Sequence, residues 1–309
     1  MGFIAKQYIK NFVGRYDKEV GMPYYSYADF PSLKQEIGVF INSKGVEIHY
    51  FYYYYPNYHQ DKIILFCHGL GPGHTAYLAE IENLARCGYQ ILTLDYTGCD
   101  SSKGKYLGSL NTPTRDTLEL IKYLKTDKEI VLIGHSMGGF TALNIINLKK
   151  DITKAVILSG FLSVSSIISS SVKSRFILSG ILKYEKKVEP TYFALDNLEY
   201  LKTTKDKLLF IQSEDDAMVP YDISLKVVES IDNPNIKTLK VNGRKHNPNY
   251  TDSAVAYMNE IFGQYYYLLS KKKIKTDAER IDYFKDVSLA KLVEQDEKMF
   301  DQIEAFIEQ

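Results

Sequence analysis

Five short apolar runs, each followed by a stretch of helical spacing, constrain this chain most. They are IILFC (63–67), YQILTLD (89–95), EIVLIGH (129–135), KAVILSG (154–160) and KLLFIQS (207–213). None alternates polar with apolar residues, as a strand with one wet face would. Such runs suit strands buried on both faces, and the helical stretches between them suit crossovers in a parallel sheet. Helices are expected near 75–87, 113–125, 137–149 and 221–231, and a further strand over NIKTLKV (235–241). Upstream, 36–42 and 46–55 read as two strands joined at Ser43-Lys44-Gly45, a hairpin turn signal. The tyrosines of the second strand suit a half-buried sheet face rather than a binding stripe.

The expectation is therefore one α/β domain over 1–309, with a mostly parallel sheet of about eight strands and helices on both faces. The 309 residues are 45% hydrophobic, ample for a large core. The rhythm breaks at 161–206, where a helical insertion is expected as a cap. Residues 250–269 read as a helix, 270–275 as a solvated linker, and 289–309 as one amphipathic helix packed on the sheet.

Lys+Arg and Asp+Glu both number 38, which argues against a nucleic-acid partner. Cys67, Cys87 and Cys99 give no disulfide framework and suit a reducing, cytoplasmic setting. They read as buried thiols rather than nucleophiles. The first sixteen residues are interrupted by Lys and Arg and read as a short amphipathic helix rather than a signal peptide. Lys6 stands where a myristoylation motif wants Ser or Thr. No apolar run approaches the length of a membrane span, so no stable membrane insertion is expected.

The chemistry centres on Gly134-His135-Ser136-Met137-Gly138. This G-x-S-x-G follows an apolar strand and opens a helical stretch, the setting a nucleophile elbow needs. The tight turn requires small residues two before and two after Ser136, and Gly134 and Gly138 supply them. The helix beginning at Met137 aims free N–H groups at a developing oxyanion. His68-Gly69-Leu70-Gly71, at the end of IILFC, lets backbone approach a substrate. The Leu70 N–H is then a second oxyanion donor beside that of Met137, and His68 shapes the loop.

On these motifs the chain resembles the α/β-hydrolase superfamily over roughly residues 35 to 309. Asp95-Tyr96-Thr97-Gly98-Cys99-Asp100-Ser101 is similar to that family's D-x-x-G-x-G-x-S loop, departing from it at Cys99 and Asp100. Within the superfamily the chain looks most like bacterial esterases, acylglycerol lipases and serine aminopeptidase-like hydrolases. The resemblance implies an acid after a late strand and a base after one more. In Ser213-Glu214-Asp215-Asp216-Ala217-Met218-Val219-Pro220, alignment on Val219-Pro220 with the family's G-x-x-D-x-x-V-P picks Asp216, with Asp215 as its rival. Of six histidines only His246 follows it, in the loop after NIKTLKV.

The implied activity is a serine hydrolase working through an acyl-enzyme on a small carboxylic ester, as a carboxylesterase or acylglycerol lipase, without a cofactor or metal. A peptidase or amidase of the same fold, and a non-catalytic ligand-binding member, are the alternatives. Filled positions at Ser136, Asp216 and His246 argue against the last. Apolar residues of 161–183, among them Phe161, Ile167, Phe176 and Leu182, either line an acyl pocket or seat the cap. Lys173, Arg175, Lys183, Lys186 and Lys187 make that segment partly basic. Oligomeric state is not legible.

Overall fold

A computed structural model describes residues 2–309. Its eight strands are β1 (Lys34–Ile41), β2 (Glu47–Tyr54), β3 (Lys62–Cys67), β4 (Gln90–Leu94), β5 (Glu129–His135), β6 (Lys154–Leu158), β7 (Lys207–Ser213) and β8 (Ile236–Val241). They form one sheet in the order β1-β2-β4-β3-β5-β6-β7-β8. The β1–β2 and β2–β4 pairings are antiparallel, and the rest are parallel.

Burial explains why the central runs lack alternation. Ile63 and Leu65 of β3 and Leu132 of β5 face one core, while Ile64, Phe66, Val131 and Ile133 face another. The first core is covered by helices Phe3–Asn11, Thr112–Leu124 and Met137–Leu148, the second by Leu78–Arg86 and Glu297–Ile307. Both faces of these strands are dry, so their central positions are apolar without alternation. The tyrosine-rich β2 sits nearer the sheet edge and is half-buried, as expected. Tyr53 is buried there, with its hydroxyl 2.8 Å from His74 Nε2.

The expected cap segment contains four helices between β6 and β7: Val164–Ser171, Arg175–Val188, Pro190–Phe193 and Asn197–Thr203. Phe161, Val164, Ile167, Ile168 and Ile181 join the core that holds Met137 and Phe140. These apolar residues therefore seat the insertion on the sheet domain.

The tail departs from expectation. In place of one helix over 289–309 there are two, Leu289–Leu292 and Glu297–Ile307. The break is held by backbone hydrogen bonds from Thr251 N to Glu294 O (3.0 Å) and from Asp296 N to Asn249 O (2.8 Å). Asp296 then caps the second helix by accepting from Met299 N. Several strands are also trimmed, among them β6, which ends at Leu158 because Ser159 turns to φ 46°, and β4, which ends at Leu94.

Candidate active site

Ser136 stands alone between β5 and helix Met137–Leu148, at φ 57° and ψ −120°. A non-glycine residue held there stores strain of about 1–3 kcal/mol. Its neighbours fix it. Ser136 N donates to Leu158 O of the adjacent strand at 2.8 Å, and Ser136 O accepts from Phe140 N at 3.1 Å. A Cβ at Gly134 would collide with the Gly138 carbonyl, and one at Gly138 with the carbonyl of Cys67. The turn thus packs glycine on glycine against the end of β3, which is why both positions lack side chains.

The half-buried Ser136 projects from the carboxyl end of the sheet. Met137 is the first residue of its helix, and its N–H has no protein acceptor among the described residues. The same holds for the N–H of Leu70. The loop after β3 lies close: a Cβ on Gly69 would stand 3.3 Å from Ser136 Cβ. Both N–H groups belong to segments next to the serine, Met137 following it directly and Leu70 following Gly69.

Asp216 and His246 meet. Asp216 Oδ2 lies 2.8 Å from His246 Nδ1, while Oδ1 accepts from Met218 N (2.9 Å) and Val219 N (3.0 Å). The carboxylate is fully buried, and the imidazole is 13% exposed. Asp215 points elsewhere. It is exposed, and its Oδ1 accepts from the Ser213 hydroxyl, Gly243 N and Lys245 N. The Ser213 bond, with those amides, holds its carboxyl below the usual range. Asp215 thus ties down the turn in front of His246, and Asp216 holds the ring. Neither Ser136 Oγ nor His246 Nε2 makes a hydrogen bond among the described residues, and such bonds often tighten only around substrate.

His135, the variable position before the serine in the motif, links two parts of the site. Its Nε2 lies 2.7 Å from the carbonyl of His246, so that nitrogen carries the proton and donates. Its Nδ1 then accepts from the Tyr77 hydroxyl at 3.0 Å. The two imidazole rings lie 4.7 Å apart. Burial lowers the His135 pKa to about 3, so the ring stays neutral. His135 therefore tethers the loop of His246 directly to the serine turn. No spacing rule in the sequence could have signalled a contact spanning 111 positions.

His68 is buried and stacked on Tyr96, with ring centroids 4.0 Å apart, and its Nδ1 lies 2.7 Å from Gly69 O. Burial drops its pKa to about 4. Such a ring shapes the loop, as expected. A buried polar chain pins the far end of that loop: His74 Nδ1 lies 2.8 Å from Asp95 Oδ1. Burial alone would raise the Asp95 pKa, but His74 pulls it down to about 2. All three cysteines are free. Burial pushes the Cys67 thiol to about 12 and the Cys87 thiol to about 11, far from a reactive thiolate. Among the described residues no three His, Cys, Asp or Glu side chains are grouped to hold a metal, and no helix is long and apolar enough to cross a membrane.

Comparison with known proteins agrees with this architecture. The profile of the serine aminopeptidase S33 family matches residues 58–208. A proline iminopeptidase of Clostridioides difficile is 34% identical over 119 residues, 37% of this chain and 40% of that protein. An epoxide hydrolase of Caballeronia sordidicola is 33% identical over 95 residues, 30% of this chain and 29% of that protein. The matched regions thus span well under half the length of these curated relatives. An esterase of Pyrococcus furiosus superposes with a TM-score of 0.59 at 20% identity, covering 83% of this chain and 98% of that one. The sheet order, the strand–serine–helix turn and these likenesses together show the α/β-hydrolase fold.

Proposed function

We propose that the chain is a serine hydrolase that cleaves a carboxylic ester through an acyl-enzyme, with Ser136 as nucleophile, His246 as base and Asp216 as the acid behind it. The observation that carries this reading is the buried Asp216–His246 pair at 2.8 Å on loops tethered to the strained Ser136 turn. His246 Nε2 takes the Ser136 proton as Oγ attacks the acyl carbonyl. Asp216 fixes the Nδ1–H tautomer and stabilises the imidazolium. The N–H groups of Leu70 and Met137 receive the oxyanion. The C–O bond to the alcohol breaks, and the alcohol leaves with the proton from His246. Water then attacks the acyl-Ser136 ester by the same route, releasing the acid and restoring the serine. No step needs a cofactor. Three free cysteines suit a reducing compartment, and we place the protein in the cytoplasm on that ground.

A peptidase or amidase activity is the second reading, favoured by the match to the serine aminopeptidase family. The triad serves both leaving groups, so turnover must separate them. p-Nitrophenyl esters of rising chain length are assayed beside aminoacyl p-nitroanilides, including proline p-nitroanilide. The ester reading predicts a kcat/KM for the best ester at least about a hundredfold above that for any anilide. Faster cleavage of an anilide would replace it with the peptidase reading.

A further inference from the structure

The insertion between β6 and β7 holds a cleft of about 560 Å³ whose lining is sharply divided in chemistry. Leu178, Leu182 and Phe193 form an apolar floor continuous with the core beneath. Arg175, Lys183 and Lys186 stand around it, and no lining residue is acidic. None of the three cations forms an ion pair among the described residues. The helix Arg175–Val188 that carries them has one carboxylate, Glu185. That group is buried on another side, bonded to the hydroxyls of Tyr8 and Ser109. The next acid along, Glu189, is paired with Arg115. Nothing in the lining offsets the positive charge. A neighbouring depression shares Ser163, Ser165 and Leu195 with the cleft and has no cation in its lining; of its two acids, Asp222 is paired with Lys226 and Asp196 caps the helix Asn197–Thr203. The cleft is thus a local concentration of unpaired positive charge in a chain of zero net charge.

We propose that this cleft binds a single-chain amphiphile with an anionic head, a carboxylate or phosphate on an aliphatic tail. The tail lies on Leu178, Leu182 and Phe193, and the head is held by Arg175, Lys183 and Lys186. The volume lies within the range of small-molecule sites, and apolar burial with a charge-assisted contact supplies affinity and orientation. Ser136, Leu70, Met137 and His246 are not among the lining residues, so the proposal stands apart from the chemistry assigned to the serine.

The test is calorimetric titration of the full chain with dodecanoate, dodecyl phosphate, dodecanol and hexanoate, each below its aggregation limit. Tight binding of both twelve-carbon anions, with dodecanol and hexanoate each at least about tenfold weaker, is expected. A Lys183→Glu/Lys186→Glu variant should weaken the anions at least about tenfold, and Leu182→Asp should do the same, while both retain the wild-type melting temperature within a few degrees. Lys183→Gln/Lys186→Gln should fall between wild type and the reversal. Equal affinity for dodecanol and dodecanoate, or no response to charge reversal in a folded variant, overturns the proposal. Phosphatidylglycerol vesicles form a separate arm. Binding to vesicles without binding to the monomeric anions would also overturn it, in favour of docking on a bilayer.

Discussion

Two neighbouring aspartates show how much a single position can carry. Asp215 and Asp216 differ by one place in a turn, yet one is exposed and braces backbone amides while the other is buried against His246. Asp216→Asn keeps the shape but loses the charge that supports the imidazolium. We expect kcat for the best ester to fall by about 10³–10⁴, with KM little changed. Asp215→Asn should keep kcat within about tenfold, because its contacts hold only the turn. Steady-state kinetics of the two variants, side by side, checks the assignment. The tether through His135 belongs to the same scale. Tyr77→Phe removes the donor to His135 Nδ1 and should lower kcat several-fold more than it raises KM. At this scale the sequence was legible where a motif restricts residue type. Gly134, Ser136 and Gly138 stand in a turn whose backbone contacts exclude a Cβ at either glycine. Alignment on Val219-Pro220 picks Asp216, and Asp216 is the aspartate that lies against His246. His135 was opaque because its role depends on a loop far along the chain.

Elements were legible in proportion to how fully they are buried. The runs of β3, β5 and β7 have apolar centres without alternation because a helical layer covers each face, and their expected limits lie within a residue of those observed. In the tail, hydrophobic spacing continues across 289–306 and suggests one helix, while the backbone breaks into two. Thr251 and Asn249 draw the segment before Asp296 into backbone bonds, and these outweigh helical continuity. Its last helix, Glu297–Ile307, still closes one face of the sheet. Phe300 and Ile303 are buried there among residues of β3, β5 and β6. Truncation at either should therefore cost heavily, about 3–5 kcal/mol for Phe300→Ala and about 2–5 kcal/mol for Ile303→Ala. Urea titration measures this, and a loss below about 1 kcal/mol would mean the helix is a loose appendage.

At the scale of the whole molecule, Glu80 links segments that the sequence keeps far apart. It lies buried in helix Leu78–Arg86, where Asn249 Nδ2 approaches its Oε1 at 3.4 Å and in turn donates to Gln295 at 2.7 Å. Burial raises the Glu80 pKa to about 7, against its backbone and side-chain hydrogen bonds. A carboxyl with a raised pKa binds its proton more tightly folded than unfolded. Its contribution is thus intact below the unfolded value and is lost as pH climbs towards 7. The loss amounts to about 3 kcal/mol. Glu80→Gln should remove that part of the decline, so its advantage over wild type in chemical denaturation should be larger at pH 8 than at pH 5. A wild type and variant differing equally at both pH values would contradict this. Both faces of the sheet and the hairpin before it could be read from the chain. The joining of Glu80, Asn249 and Gln295 could not, because it is a property of packing between distant segments.

The most direct test of the central claim is covalent capture of the nucleophile. The full chain is incubated with a fluorophosphonate, its intact mass is measured, and the modified peptide is mapped beside a Ser136→Ala variant of equal thermal stability. One adduct per chain on Ser136, absent from the variant along with ester turnover, is the predicted result. A folded wild type that gains no adduct, or a variant that still gains one and still turns over ester, would contradict the assignment of Ser136.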